Sequence, residues 1–144
     1  MLVACTRNLL SIVYVPQKDV NGEVILITGA GSGIGRLMAL KFADLGATLV
    51  LVDINKTSVD AVAKEISDKG QSAHSYDCDC SKREEIYRVA AKIKSEVGDV
   101  TMLVNNAGIV TGKKFTELPD EKVDLTLQVN TLAHLWVRPN KLLT

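Results

Sequence analysis

The sequence of 144 residues is poor in several residue types, and each shortage excludes a class of protein. Aromatic residues make up only 4% of the chain and the formal net charge is zero, so the sequence has no basic stripe with interleaved aromatics of the kind that binds nucleic acid. With only 3 prolines and 47% hydrophobic residues, the chain is neither disordered nor fibrous. We expect a globular domain that can bury a sizeable core.

Cysteine is also scarce. The three cysteines, Cys5, Cys78 and Cys80, form no Cys-x-x-Cys pair, and their odd number argues against a disulfide framework and for a reducing compartment. Cys78 and Cys80 are two residues apart in a predicted strand, so we expect them on one face. Because no nearby histidine completes a metal-binding set, we predict no metal site and interpret both as packing residues.

Long hydrophobic runs are absent. Residues 1–15 are apolar but are interrupted by Arg7 and Asn8, and they are too few to cross about 30 Å of hydrocarbon as a helix. They do not fit a secretory signal peptide either, while attachment to a membrane surface stays open. We therefore divide the chain into an N-terminal apolar segment and linker, residues 1–22, and one domain, residues 23–144.

What the sequence does contain is a glycine-rich turn between a β-branched apolar run and a helical pattern. The run Glu23–Thr28 is followed by Gly29, Gly31, Gly33 and Gly35. Glycines let backbone N–H groups approach a pyrophosphate, and the helix that follows directs its N-terminus at the negative charge. A purely structural turn is the alternative, but the position between strand and helix favours a phosphate site.

Apolar strand patterns alternate with helical patterns four times. The predicted strands are residues 23–28, 48–52, 72–78 and 100–104, and the helices begin near Ile34, Thr57, Ser81 and Pro119. The third strand is the most polar, which predicts an edge position, and Thr57 and Ser81 each resemble the start of a capping box. This alternation predicts an α/β fold: the first half of a Rossmann-like doubly wound parallel sheet, about four strands in the order 3-2-1-4.

Asp53 ends the second predicted strand, 18 residues after Gly35. A dinucleotide fold places a carboxylate there on the adenosine ribose hydroxyls. The carboxylate would repel a 2′-phosphate, and Ser32 and Ile54 carry no charge to neutralise one, although Lys56 is close in sequence. The pattern therefore favours NAD over NADP, and an ordinary loop-start residue is the alternative for Asp53.

Two of these motifs together carry a family resemblance. Thr28–Gly35 with Asn105-Asn106-Ala107-Gly108 resembles the short-chain dehydrogenase/reductase superfamily, whose members join two such motifs at about this spacing. Matches in residues 53–56, 79–81, 98–100 and 108–115 resemble its family 16C, and the resemblance covers residues 18 to about 136. It implies an oxidoreductase that transfers hydride between NAD and a lipophilic alcohol, retinol or a hydroxysteroid.

The resemblance also implies a role for each motif residue. The glycine turn and Ile34 would line the pyrophosphate, Asp53 would hold the adenosine ribose, and Asp79 and Cys80 would flank the adenine. Asn106, Ala107 and Gly108 would back the nicotinamide ribose, and Asn130 would be the asparagine of the catalytic tetrad. The full cofactor set is Gly29, Gly31, Ser32, Gly33, Ile34, Gly35, Asp53, Asp79, Cys80, Asn106, Ala107 and Gly108. From the residues alone, Asp79 is also explained as a helix cap beside Ser81, and Asn130 as an ordinary polar helix residue.

Part of the family pattern is missing from these 144 residues. The family's serine and Tyr-x-x-x-Lys pair follow the fourth strand, whereas the one match here, Tyr14–Lys18, precedes the first strand and contains Pro16. Residues 137–144 also depart from the family, with Pro139 where it continues a helix. The resemblance thus predicts a truncated, inactive chain whose fourth strand is an apolar edge prone to aggregation.

Three hypotheses follow for the function. The first is that the chain represents an NAD-dependent dehydrogenase but, being truncated, is itself catalytically inactive. The second is a non-catalytic module that binds NAD or pairs with a second copy or a full-length relative, and the third is a non-functional splice or pseudogene product. The family branch implies the endoplasmic reticulum membrane or a lipid-droplet surface, and the cytoplasm if residues 1–15 do not anchor the chain.

Overall fold

The structure is a computed structural model that describes residues 18–112 and 114–137. The apolar segment 1–15, with Cys5 and Tyr14, lies outside the described residues, as do Lys113 and residues 138–144 with Pro139. The predictions made for them stay predictions.

Four parallel strands form one sheet in the order β3-β2-β1-β4. The strands are β1 (Val24–Thr28), β2 (Thr48–Asp53), β3 (Ala73–Asp77) and β4 (Met102–Val104). β1 and β2 pair from Val24 opposite Thr48 to Thr28 opposite Val52, so both strands end at the same edge of the sheet. The predicted fold class, strand order and edge position of the third strand are confirmed.

Helices connect successive strands and continue beyond the last one. They are α1 (Gly33–Asp44), α2 (Lys56–Ser67), α3 (Arg83–Glu96), α4 (Asp120–Leu127) and α5 (Ala133–Trp136). A 3-10 turn (Phe115–Glu117) precedes α4, and a π-helical turn (Gln128–Leu132) joins α4 to α5. None of the helices in the described part of the chain is long and apolar enough to span a bilayer.

The core lies on both faces of the sheet. Ile25 and Ile27 of β1 pack in one cluster with α1 and α2, whereas Leu26 between them packs in the other cluster with α3 and α5. Side chains alternate across a strand, so a strand covered on both faces must be apolar at every position. This is why β1 and β2 read as continuous apolar runs.

The two predicted capping boxes are wrong, because neighbouring side chains take over the local hydrogen bonds. Helix α2 is capped by Asn55, whose side-chain oxygen accepts from the Ser58 N–H at 3.0 Å, and Thr57 lies inside the first turn. Before α3, the Asp79 carboxylate accepts from both the N–H and the hydroxyl of Ser81, at 3.0 and 2.7 Å. The Ser81 hydroxyl therefore does not cap α3, which begins after Lys82.

Strand β4 is shorter than predicted because a side chain replaces part of its ladder. The Thr101 N–H donates to the Val24 carbonyl, while the Val24 N–H donates to the Thr101 hydroxyl at 2.9 Å. Met102, Leu103 and Val104 are half-buried, and in the described residues no strand pairs with the outer side of β4. β4 is thus the second edge of the sheet.

Candidate cofactor-binding site

One cleft of about 420 Å³ opens at the carboxyl ends of the strands. Parallel α/β sheets bind ligands at this edge, where the loops from several strands meet. The cleft is lined by Gly29, Ser32, Gly33, Ile34, Gly35, Asp53, Ile54, Cys78, Asp79, Cys80, Asn106, Ala107, Gly108, Ile109 and Val129. All the residues predicted for the cofactor lie in this lining except Gly31, which is buried beneath it.

The glycine turn is forced by close approach of the backbone. A Cβ on Gly35 would overlap with the Gly29 carbonyl oxygen and lie 2.7 Å from the Asn106 side-chain nitrogen. A Cβ on Gly29 would lie 2.9 Å from the Ala107 Cα, and Gly29 has a φ of +67°, which other residues rarely adopt. Glycine at these positions lets the turn after β1 pack directly against the turn after β4.

The N-terminus of α1 faces this cleft without a side chain to satisfy it. Ser32 is the N-cap residue but makes no side-chain capping hydrogen bond, and the first turn holds no acidic residue. Asn55 caps α2, and α3 carries Glu84 and Glu85 in its first turn. Helix α1 therefore keeps its N-terminal N–H groups and positive dipole end for an external anion, as a pyrophosphate requires.

Asp53 is held at the end of β2 by backbone donors. Its Oδ2 accepts from the Gly31 N–H at 2.8 Å and its Oδ1 accepts from the Asn55 N–H at 2.9 Å. A Cβ on Gly31 would lie 3.0 Å from the Asp53 carboxylate, so Gly31 acts by leaving room for that side chain. Because an ionised carboxylate offers about four lone-pair sites, Asp53 can still accept hydrogen bonds from a ligand's hydroxyl groups.

Thr28 and Asn106 join the turns after β1 and β4. The Thr28 hydroxyl, on a residue only 3% exposed, accepts from the Asn106 N–H at 3.1 Å and the Ala107 N–H at 3.0 Å. In return the Asn106 side-chain amide donates to the carbonyls of Thr28 and Gly29, at 2.9 and 3.1 Å. These four bonds fix the floor of the cleft between the two glycine-containing turns.

Asn130 does not line the cleft but holds a loop that does. It lies in the π-helical turn, and its amide makes two hydrogen bonds of 2.9 Å with the backbone of Ile109, donating to the C=O and accepting from the N–H. The adjacent Val129 lines the cleft. In the described structure Asn130 is thus a positioning residue for the loop after β4.

The loop after β3 contributes Cys78, Asp79 and Cys80. Burial acts to raise the pKa of Asp79, but hydrogen bonds from Ser81 and the Lys82 ammonium outweigh it and hold that pKa below its ordinary value of 3.8. The helix cap given above as the alternative for Asp79 is not formed, because its carboxylate accepts from Ser81 and not from the first turn of α3, and Asp79 also lines the cleft. Cys78 and Cys80 are both buried, as packing residues would be, yet both also line the cleft.

Sequence reasoning missed four lining residues. Ile54, Cys78, Ile109 and Val129 each lie directly next to a predicted site residue, and that adjacency was the available signal. Ile54 and the predicted Ile34 are 71% and 70% exposed at the rim. Exposed apolar side chains beside a cleft gain burial when a ligand's rings cover them, so both fit a dinucleotide.

Comparison with known proteins defines the class. The short chain dehydrogenase family model matches residues 23–140, so the chain belongs to the short-chain dehydrogenase family. Within the family it falls with the 16C branch. It is 53% identical to epidermal retinol dehydrogenase 2 from Mus musculus, over 95% of this chain and 47% of that protein. It is 50% identical to short-chain dehydrogenase/reductase family 16C member 6 from Bos taurus, over 83% of this chain and 38% of that protein.

A steroid dehydrogenase and a solved structure extend the comparison. Estradiol 17-beta-dehydrogenase 11 from Homo sapiens is 44% identical over 94% of this chain and 46% of its own length. L-sorbose reductase from Gluconobacter frateurii, solved with NADPH and L-sorbose, superposes with a TM-score of 0.80 at 30% identity, covering 87% of this chain and 48% of that one. The chain spans about half the length of the curated relatives it matches.

Proposed function

We propose that this chain binds NAD across the cleft and is the cofactor-binding part of a short-chain dehydrogenase that acts on a lipophilic alcohol. The observation that carries the proposal is the combination of the uncapped α1 N-terminus and the Asp53 carboxylate in one cleft. The first suits a pyrophosphate and the second suits the hydroxyls of an adenosine ribose. The hydrogen bonds between Thr28 and Asn106 hold the turn after β1 against the turn after β4.

NAD is favoured over NADP by the charge at Asp53. A ribose 2′-phosphate would meet the carboxylate, and like charges at contact distance repel. The basic side chains in the first turns of α1 and α2 are already paired, Arg36 with Glu65 at 2.6 Å and Lys56 with Asp60 at 2.9 Å. Exposed pairs of this kind contribute little and can exchange partners, so the preference rests on Asp53.

The residues of this chain bind and orient, and they do not supply the proton transfer. When bound, NAD would accept hydride from the alcohol carbon at its nicotinamide ring. Asn106, Ala107 and Gly108 would support the nicotinamide ribose, and Asn130 would fix the adjoining loop through Ile109. We propose that these 144 residues alone do not turn over, because the family's serine and Tyr-x-x-x-Lys segment is not among them.

We propose retinol or a hydroxysteroid as the substrate of longer enzymes that contain this cofactor-binding part. Support comes from relatives named as a retinol dehydrogenase and an estradiol dehydrogenase, each matched over nearly the whole of this chain. This substrate is proposed for such longer enzymes and not for the 144 residues alone, since the chain spans less than half of either relative.

The test separates binding from turnover. Saturation-transfer NMR of the 144-residue chain should show NAD signals that disappear on competition with excess ADP-ribose. The same preparation should show no NADH formation from retinol or a hydroxysteroid, because positioned acid–base groups supply about 10²–10⁴-fold in rate. Absence of NAD binding by a folded preparation would refute the proposed cofactor, and measurable turnover would refute the proposed inactivity.

Association with the endoplasmic reticulum membrane or a lipid-droplet surface is a further part of the proposal, supported by the family branch and the apolar composition of residues 1–15. We expect the full chain to float with phospholipid vesicles or lipid droplets and a chain beginning at Lys18 to stay in the supernatant. Equal behaviour of the two chains would contradict the anchoring role of the segment.

A further inference from the structure

Two thiols lie side by side in the floor of the cleft. Cys78 and Cys80 are 3% and 8% exposed, both are free, and both line the cleft. They also line a second, apolar pocket of about 20 Å³ between the sheet and α3. The pair therefore borders both the cleft and this apolar pocket.

The backbone fixes the pair relative to the rest of the site. The Cys78 N–H donates to the Asp53 carbonyl at 2.9 Å, and the Asp79 N–H donates to the Glu85 carboxylate at 2.9 Å. The loop is thus tied to β2 on one side and to α3 on the other. Its thiols are held at the cleft rather than on a free surface loop.

The two thiols are not equivalent. The neighbouring Cys80 thiol together with burial raises the pKa of Cys78. The Cys78 thiol in turn lowers the pKa of Cys80, against burial and the carboxylates of Asp79, Asp53 and Glu85. Thiolate is the reactive form of cysteine, so the more exposed Cys80 is also the better nucleophile of the two.

We propose that Cys80 is a modification site for small soft electrophiles of the α,β-unsaturated carbonyl class, open when the cleft is empty and shielded when an adenine dinucleotide fills it. In the reaction the Cys80 sulfur bonds to the β-carbon of the conjugated alkene, the alkene π bond breaks, and the thiol proton ends on the α-carbon. No oxidant and no leaving group are needed. The shielding rests on the proposed function, whereas the selective reactivity of Cys80 does not.

An adduct at this position has a direct consequence for cofactor binding. It would occupy the part of the cleft beside Asp79, where the adenine is proposed to lie. The thiol state and cofactor occupancy would then exclude each other, so a bound dinucleotide protects the thiol and a modified thiol blocks the dinucleotide.

The experiment follows alkylation by N-ethylmaleimide over time, with tryptic mapping by mass spectrometry. Both cysteines lie in the predicted tryptic peptide of residues 70–82, so fragmentation between them assigns the label, and Cys5 is read separately in residues 1–7. In the folded chain we expect Cys80 to react at least about tenfold faster than Cys78, and the two to react at similar rates in denaturant. Equal or faster labelling of Cys78 in the folded chain would overturn the proposal.

Two variants and the cofactor complete the test. Cys80→Ser should lose the fast label, while Cys78→Ser should retain it. Saturating NAD should slow labelling of Cys80 at least about tenfold, and alkylated wild type should bind NAD at least about tenfold more weakly than untreated protein. Alkylation should leave the affinity of Cys80→Ser equal to that of the untreated variant.

Calorimetry on the same preparations keeps the two proposals distinguishable. NAD that binds without slowing the label overturns the shielding at Cys80 and leaves the proposed cofactor intact. A chain that does not bind NAD refutes the proposed function, and the ratio of Cys80 to Cys78 labelling then still decides the modification site.

Discussion

The Thr28 hydroxyl is a buried acceptor shared by two N–H groups of the turn after β4. Replacing Thr28 by valine keeps the shape but leaves the N–H groups of Asn106 and Ala107 without that acceptor. We expect Thr28→Val to lower the free energy of unfolding by about 2–3 kcal/mol, since a buried unsatisfied donor costs about 1–3 kcal/mol. Urea denaturation followed by circular dichroism measures the change.

Thr28→Ser is the matched control, because it keeps the oxygen and removes only a methyl group. It should cost about 1 kcal/mol. If the serine variant is as destabilised as the valine variant, the shared hydroxyl is not what holds the two turns together.

Gly35 is where the packing of α1 on the β1 turn leaves no room for a side chain. We expect Gly35→Ala to destabilise the fold by about 3 kcal/mol or more, because the clash is with backbone that must move. Gly108→Ala is the control: its Cβ would lie 3.5 Å from Asn130 Oδ1, an ordinary contact, and the change should stay within about 0.5 kcal/mol. Equal melting temperatures for the two variants would contradict the close-packed turn.

At the scale of elements, the start of α3 depends on ionised carboxylates. The Glu85 carboxylate accepts from the Asp79 N–H and pairs with Lys82 at 3.1 Å, which together lower the pKa of Glu85 from its ordinary 4.5. A pKa that is lower in the folded than in the unfolded state stabilises the fold above the unfolded value and loses this effect as pH falls through the folded value. This loop should therefore loosen in acid.

The prediction is a loss of stability between about pH 5 and pH 3 that Glu85→Gln reduces in slope, since glutamine does not titrate. Denaturant midpoints across that range, measured by circular dichroism for both proteins, provide the test. An unchanged slope in the variant would show that Glu85 does not contribute to acid unfolding.

Strands and helices that follow from a local sequence pattern could be predicted. Element boundaries that depend on which of several neighbouring side chains makes a hydrogen bond could not. Continuous apolar runs predicted the buried strands β1 and β2, and Pro119 followed by Asp120 and Glu121 predicted the start of α4. The cap of α2 was misplaced because Asn55, Thr57 and Ser58 all offer side-chain oxygens within one turn. The start of β4 was misplaced because the Thr101 hydroxyl substitutes for a ladder bond.

The residues of the candidate site also divide into those with a local sequence signal and those without one. Gly35 could be predicted because the backbone packs too closely at the start of α1 for any other residue, and Asp53 because it ends strand β2. The Thr28 bonds to the turn after β4 join residues 78 and 79 positions apart, and the Asn130 bonds to Ile109 span 21 positions. No local pattern indicates such contacts.

At the scale of the whole molecule, the described sheet is one half of a doubly wound arrangement, with the cleft at its carboxyl edge and β4 on one side. The cleft presents three features that suit a dinucleotide: an open helix N-terminus, the Asp53 carboxylate, and apolar side chains at the rim. We therefore propose that the cleft binds a nicotinamide cofactor and that Asp53 selects NAD.

Calorimetric titration of NAD and NADP into wild type and Asp53→Asn tests that claim most directly. Wild type should bind NAD at least about tenfold more tightly than NADP, and removal of the charge should bring the two affinities closer by a similar factor. A melting curve for each protein shows that it is folded. Wild type that binds NADP as tightly as NAD, or a selectivity that Asp53→Asn leaves unchanged, would show that Asp53 does not select the cofactor.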